Sequence, residues 1–218
     1  SEMCIRDSMN IKEILEDPRL NISPTAPLEQ IVSQFGSYLD LLVKWNQKIN
    51  LTSEKSSQDI LLRHIFDSLQ YAPVISPKDE IVDIGSGAGF PGIPLKIIYP
   101  ELVATLIESQ RKRCSFLETV IFELGLKGTK VINDRAEKIS PERLAEAVIF
   151  RGVSDIKSCL ELATPFLGRE GKVVLKKGVE ERGELKQPIY GFSLEQEVVV
   201  TGYNNKKSRL LVFVKSSI

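Results

Sequence analysis

One stretch constrains this chain more than any other: Ile81-Val82-Asp83-Ile84 runs directly into Gly85-Ser86-Gly87-Ala88-Gly89-Phe90-Pro91-Gly92. Four residues of buried-strand character, then alternate glycines, then a helical pattern require a strand–turn–helix unit, because glycine takes the backbone conformations of so tight a turn without strain. Glycines also let a ligand approach the main chain, and free amides are expected to point outward at the helix start. A small polar ligand is expected there. The dinucleotide fingerprint G-x-G-x-x-G needs its third glycine where Phe90 stands, and the spacing here is G-x-G-x-G instead.

Around this turn the chain has an alternating rhythm. Strands are expected at Ile81 to Ile84, Val103 to Ile107, Lys130 to Ile132, Ala147 to Phe150 and Lys172 to Leu175. Helices are expected at Gly92 to Ile98, Gln110 to Leu124, Pro141 to Ala145, Asp155 to Phe166 and Val179 to Lys186. Such alternation implies right-handed βαβ crossovers and a parallel sheet. The rhythm then breaks: Leu194 to Thr201, a turn at Gly202 to Lys207, and Arg209 to Lys215 read as a hairpin that adds an antiparallel last strand. The fold class is α/β, with a mostly parallel seven-stranded sheet.

Before the sheet lies a helical cap. Ile31, Phe35, Tyr38, Leu39, Leu42, Val43 and Trp45 form one helical stripe, and Ile60, Leu61, Ile65, Phe66 and Leu69 form another, with Ser57 or Asp59 as its expected cap residue. A Pro-containing stretch at 72–77 separates cap from body. Residues 1–8 precede Met9 without periodicity and are set aside as a tag or misassigned start, leaving a cap at 9–77 and a body at 78–218.

Charge narrows the function. The 218 residues carry 29 Lys+Arg against 29 Asp+Glu, so a basic protein that coats nucleic acid through bulk charge is excluded, although a local basic face is not. Residues 1–80 hold 8 Lys+Arg and 12 Asp+Glu, which leaves 21 and 17 for the rest, so the body is the positive part. Cys4, Cys114 and Cys159 lack CxxC or Cys/His spacing, which points away from a disulfide framework or a metal site and toward a reducing cytoplasm. No apolar run approaches the roughly 20 residues of a membrane span.

Two further features sit beside the turn. Glu108 ends the second strand, where a carboxylate can accept hydrogen bonds from ribose hydroxyls, and Asn133-Asp134-Arg135-Ala136-Glu137 follows the third, where an adenine ring would lie. The G-x-G-x-G turn with Asp83 two residues before it resembles the nucleotide-binding turn of class I methyltransferases that use S-adenosylmethionine. The chain as a whole resembles the bacterial RsmG (GidB) family of 16S ribosomal RNA methyltransferases, which form N7-methylguanosine. The resemblance rests on Trp45-Asn46 with Asn50-Leu51-Thr52-Ser53, Arg63-His64 with Asp67-Ser68, Asp83 through Leu95, and Arg111-Lys112-Arg113 with Phe116-Leu117. Weaker matches are Arg135-Ala136-Glu137, Arg151, Lys177-Gly178 and Arg209. It departs at Gly152, where the family usually has Ala, and at the doubled Lys176-Lys177.

The resemblance implies a Rossmann-like class I methyltransferase fold and S-adenosylmethionine held by Gly85, Phe90, Ala136, Glu137 and Arg151, to which physical reasoning adds Gly87, Gly89 and Glu108. The implied partner is 16S rRNA or the small ribosomal subunit, met by a monomer without metal or membrane. Expected phosphate contacts are Arg63, Arg111, Lys112, Arg113, Lys177 and Arg209, with Lys176, Lys206 and Lys207 as further candidates. Guanine N7 carries a lone pair and no proton, so no catalytic base is named. His64, the only histidine, reads first as a hydrogen-bonded tie between cap and sheet, and Trp45 as core. Alternatives are a metabolite methyltransferase, a nicotinamide oxidoreductase, disfavoured by Phe90, and a non-catalytic RNA-binding module, disfavoured by the intact glycines and Glu108.

Overall fold

The computed structural model describes residues 11–152, 155–179 and 188–215. Strands β1 (Glu80–Ile84), β2 (Val103–Ile107), β3 (Thr129–Ile132), β4 (Ala145–Phe150), β5 (Leu167–Gly178), β6 (Phe192–Thr201) and β7 (Lys207–Lys215) form one seven-stranded sheet. Its order is β3-β2-β1-β4-β5-β7-β6. Strands β1 to β5 pair in parallel, while β7 runs antiparallel to both β5 and β6, as the broken rhythm at the end of the sequence predicts. The chain lays β1, β2 and β3 outward on one side and then returns past β1 to place β4 and β5 on the other. That reversal lies between β1 and β4, and in an open α/β sheet ligands occupy the crevice beyond the strand ends at such a point.

The longer helical elements among the described residues are α1 (Leu28–Asn46), a composite α2, α3 (Gly92–Ile98), α4 (Arg111–Leu124) and α5 (Ile156–Ala163). Composite α2 joins Ser57–Ile60, a π turn at Leu61–Ile65 and Phe66–Leu69. Strand alternation divides the buried residues into two cores, one on each face of the sheet. Ile81, Ala104, Ile149, Val174 and Val212 lie on the face covered by α1 to α4. Val82, Ile107, Phe150, Leu175 and Phe213 lie on the face covered by α5. The cap stripes share the first core: Phe35, Leu42, Ile65 and Phe66 bury with Ile97, Phe116 and Val120, each large side chain contributing about 1.5–3 kcal/mol. Trp45 meets Phe116 edge-on at 5.7 Å and packs against this core, as expected.

Two sequence expectations change, and a third cannot be compared. Pro141 to Ala145 is not a helix, because Ala145 is the buried first residue of β4 and pairs with Leu167 of β5. The cap residue of α2 is Ser56 rather than Ser57 or Asp59, since Ser56 Oγ accepts from the Asp59 amide at 3.1 Å. The helix expected at Val179 to Lys186 lies, after Val179, outside the described residues. Among the described residues no helix is long and apolar enough to cross a membrane.

Candidate functional site

The glycine turn follows β1 at the reversal point, with Gly85, Gly87 and Gly89 at φ of 76°, 58° and 96°. These left-handed values require glycine for two different reasons. A Cβ on Gly87 would meet only Gly85 O, at 3.9 Å, so the space in front of it is open. A Cβ on Gly89 would stand 2.6 Å from Ile93 Cγ1 and 3.0 Å from Tyr38 Oη. Gly87 therefore leaves room for a ligand, whereas Gly89, buried, leaves room for the protein's own packing.

The expectation of free amides is met at Ala88 alone. Gly85 and Ser86 donate to Ile107 O at 2.9 and 3.1 Å, and Gly89 and Phe90 donate to Ser86 O at 2.7 and 3.0 Å. Gly87 donates to Glu108 Oε2 at 3.0 Å, and Gly92, at the start of α3, donates to Asp83 Oδ2 at 2.9 Å. With all of these amides engaged by the chain, and only that of Ala88 left over, the turn makes no multi-amide phosphate cradle. The acids beside it point the same way: Glu108 is 5% exposed and Asp83 fully buried. Two carboxylates suit a ligand that brings positive charge and hydroxyl donors.

Each acid retains acceptor capacity. Glu108 accepts from the Gly87 and Gln110 amides, at 3.0 and 2.8 Å, which leaves lone pairs on both oxygens. Asp83 Oδ1 is buried with no hydrogen-bond partner. Burial pushes the Asp83 carboxyl up to about 7, against the opposing pull of the Gly92 amide and the Arg151 charge. Beyond β3, Asn133 Nδ2 donates to Glu108 O and Ser109 O, both at 3.1 Å, and thereby ties the β3 end to β2. Ala136 is buried in a 3-10 turn at Ala136–Lys138, and Glu137 beside it faces outward, 4.0 Å from Arg135.

The cap supplies the other wall. Buried Asn46 accepts from the Leu51 and Thr52 amides at 2.9 and 3.1 Å and donates to Glu54 O at 2.7 Å, which closes a loop that presents Glu54. Glu54 Oε2 lies 2.6 Å from His64 Nε2, and Arg151 Nη2 lies 3.0 Å from His64 Nδ1. A guanidinium can only donate, so Nδ1 accepts and the imidazole proton sits on Nε2, facing Glu54. His64 is thus a neutral tie between cap and sheet, stacked on Phe90 at 4.9 Å and 14°. Arg151, just past β4, also donates from Nε to Asp67 Oδ2 at 2.9 Å, and its guanidinium lies 5.5 Å from the Phe90 ring centre. None of its described hydrogen bonds uses Nη1.

The expected RNA contacts do not form one surface. Alternation along β5 places Lys176 on the cap face, where it pairs with Asp67, and Lys177 on the opposite face beside Arg209, its register partner. Arg209 is held by Glu197 at 3.3 Å with a side chain only 12% exposed. Arg113 turns toward Glu108 at 3.8 Å and donates to Asn50 O at 3.3 Å. Arg63, Arg111 and Lys112 are the cations of the set that stay outward. Glu54, Asp67 and Tyr38, which donates to Ala88 O in the turn at 2.5 Å, shape the site without having been assigned roles from sequence. The Arg-His-x-x-Asp spacing, with His64 and Asp67 one helical turn apart, was the available signal for Asp67. Among the described residues no group of His, Cys, Asp and Glu is arranged to hold a metal ion.

The family described as GidB, rRNA small subunit methyltransferase G, matches residues 31–212. The chain belongs to this family. Among its GidB relatives, the ribosomal RNA small subunit methyltransferase G of Oenococcus oeni is 40% identical over 73% of this chain and 67% of that protein. The protein of the same name from Nitrosomonas europaea is 35% identical over 95% of this chain and 98% of its own length. Solved structures share the fold at lower identity. A SAM dependent methyltransferase from Aquifex aeolicus matches 72% of this chain and 93% of its own, with a TM-score of 0.54 at 18% identity. M. jannaschii TYW2, solved in complex with AdoMet, matches 69% and 74%, with a TM-score of 0.56 at 19% identity. In this GidB chain the Trp-Asn block is the Asn46-closed loop, and the Arg-His-x-x-Asp-Ser block is the α2 segment that grips Arg151.

Proposed function

We propose that this chain transfers the methyl group of S-adenosylmethionine to N7 of a guanine in the 16S RNA of the small ribosomal subunit. The observation that carries the reading is the glycine turn: its amides, Ala88 excepted, are engaged internally and it is flanked by Asp83 and Glu108, in a chain of the GidB family. S-adenosylmethionine has a sulfonium, an ammonium and ribose hydroxyls but no phosphate, so it fits a crevice that offers carboxylates and no anion cradle. A nicotinamide dinucleotide, with its pyrophosphate, does not.

In this reading Gly85 and Gly87 admit the cofactor to the main chain, and Glu108 accepts from its ribose. Asp83 Oδ1 offers a buried acceptor to its ammonium, Ala136 and Glu137 border its adenine, and Arg151 Nη1 faces its carboxylate. Phe90 and Gly89 support the turn from behind. When bound, the cofactor supplies an electrophilic methyl group on a cationic sulfur. The chain needs no general base, since N7 has no proton to lose, and its contribution is to hold N7 in line with the methyl group, an orientation effect that supplies several kcal/mol. N7 lies in the deep, narrow major groove of A-form RNA, so an unpaired or extruded guanosine is the substrate form.

The same reading divides the chain into a cap at 9–77 and a catalytic body at 78–218, and makes it a cytoplasmic monomer that needs neither metal nor membrane. The test is incubation with labelled S-adenosylmethionine and either small subunits or naked 16S rRNA, followed by mapping of N7-methylguanosine. Label at one guanine supports the reading, and label in no RNA overturns it.

A further inference from the structure

The carboxyl edge of the sheet carries a second concavity next to the crevice. A cleft of about 530 Å³ opens between α2 and the turn joining β6 to β7, lined among others by Asp59, Arg63, Asp67, Lys176, Tyr203 and Lys206. Its floor is the Asp67–Lys176 pair, completed by Lys176 Nζ donating to Gln70 Oε1 at 2.6 Å. The other oxygen of Asp67 holds Arg151, so cleft and crevice share a wall.

The hairpin side of the cleft is fixed from outside. Arg19, clamped by Asp17 at 2.6 Å, donates to Gly202 O at 3.3 Å, and Gln70 Nε2 donates to Thr201 O at 2.8 Å. The Arg19 guanidinium lies 4.9 Å from the Phe66 ring centre and 5.6 Å from that of Tyr203, and Phe66 meets Tyr203 at 5.8 Å and 75°. Tyr203, braced in this way, still keeps 47% of its surface exposed. A polar turn anchored this thoroughly, with an aromatic ring left open to solvent, has the build of a binding wall.

The charges select the ligand. Lining cations Arg63, Lys176 and Lys206 outnumber carboxylates Asp59 and Asp67, and Asp67 is already shared between Lys176 and Arg151. Arg63 stands on α2 with its side chain 69% exposed and Glu54 at 3.5 Å. Across the cleft, the Lys206 side chain has no carboxylate partner among the described residues. Cations on two opposed walls beside an open aromatic ring match the two parts of single-stranded nucleic acid, an anionic backbone and flat bases.

We propose that this cleft seats the unpaired RNA strand next to the methylated guanosine, with a phosphodiester between Arg63 and Lys206 and a base against Tyr203. The proposal rests on the rRNA methyltransferase reading and adds a strand path: from the hairpin wall, over Asp67 and Arg151, into the crevice at β1 and β4.

The test uses the full chain with a short single-stranded oligoribonucleotide, its binding followed by fluorescence anisotropy over a salt series, together with methyl transfer to small subunits. Tyr203→Ala should weaken oligonucleotide binding about tenfold, and Lys206→Gln should lower the salt slope by about 0.7. Tyr203→Phe and Lys206→Arg should keep wild-type binding, and calorimetric affinity for S-adenosylmethionine should be unchanged in all four variants. In transfer assays KM for the subunit should rise by a larger factor than kcat falls. Wild-type binding by both Tyr203→Ala and Lys206→Gln overturns the proposal, as does equal competition from an RNA duplex of the same length. If wild type binds the oligonucleotide through these residues but labels no rRNA, the methyltransferase reading fails and the cleft assignment stands.

Discussion

Asp67 and Arg151, 84 residues apart, meet through a 2.9 Å hydrogen bond from Arg151 Nε to Asp67 Oδ2, while the other Asp67 oxygen takes Lys176. One carboxylate thus holds two cations at the ends of adjacent strands β4 and β5. Burial opposes its ionisation, but Lys176 and Arg151 overcome that and keep its carboxyl below the usual range.

Asp67→Ala leaves both cations short of their counter-charge. The expected loss is about 2–3 kcal/mol, less than for a fully buried pair because the Asp67 side chain is 23% exposed. Urea unfolding measures it, and a loss below about 0.5 kcal/mol would show that solvent replaces the carboxylate. Since the folded-state pKa of Asp67 is lowered, its contribution is present above the ordinary carboxylate pKa and disappears as pH falls through the lowered value.

Gly87 and Gly89 separate fold from site. Gly89→Ala drives a methyl group into Ile93 and Tyr38 and takes a left-handed residue, so about 2–4 kcal/mol of stability should go. Gly87→Ala meets open space and costs about 1–2 kcal/mol from its φ of 58° alone. Gly87→Asp should in addition abolish S-adenosylmethionine binding while the protein remains folded, as calorimetry and circular dichroism together can establish.

His64 links stability to mild acid. Burial lowers its pKa first, the Glu54 hydrogen bond opposes this, and the Arg151 charge adds to the lowering. The unfolded chain therefore binds a proton that the folded chain resists, so this contribution is full above the ordinary histidine pKa of about 6.5 and falls away as pH drops, with a slope of at most about 1.4 kcal/mol per pH unit. His64→Phe, which retains a ring on Phe90, should remove that slope in urea titrations between pH 5 and 7. An unchanged slope would assign it elsewhere.

Asp83 has the opposite sign. Its carboxyl is raised to about 7, chiefly by burial, so its contribution is full below the ordinary carboxylate pKa and is lost as pH rises through about 7. Asp83→Asn keeps an acceptor for the Gly92 amide and cannot ionise. Relative to wild type, the variant should gain stability from pH 5 to about 7 and then level off, and parallel profiles would refute the buried titration.

Cations at the start of α4 should split by role. Arg111→Ala with Lys112→Ala should weaken RNA binding and flatten its salt dependence without altering cofactor affinity, because both side chains face outward. Arg113→Ala should reach the cofactor side instead, through Glu108 at 3.8 Å and Asn50. A cofactor affinity equal to wild type for Arg113→Ala would detach it from the crevice.

The sheet was legible because β-branched runs, glycines and helical stripes each have a local cause, and the turn at Gly85 announced the crevice. The state of its amides was not legible, since Ile107 and Glu108 arrive from a neighbouring strand whose register no local pattern reveals. The same holds for Asp67, whose partners lie 84 and 109 residues away. The two faces of Lys176 and Lys177 could have been read from Val173, Val174 and Leu175, which alternate between the two cores. Pro141 to Ala145 misled because a short apolar-polar run suits one helical turn and a strand entrance equally well.

Arg19 and Gly202, joined at 3.3 Å, are separated by 183 residues. During synthesis the glycine turn, Glu108, His64, Asp67 and Arg151 all emerge before the hairpin that Arg19 anchors. The residues of the crevice therefore leave the ribosome ahead of the hairpin that forms the proposed strand wall, and the first to be made, Arg19, waits for the last to be made before its contact can close.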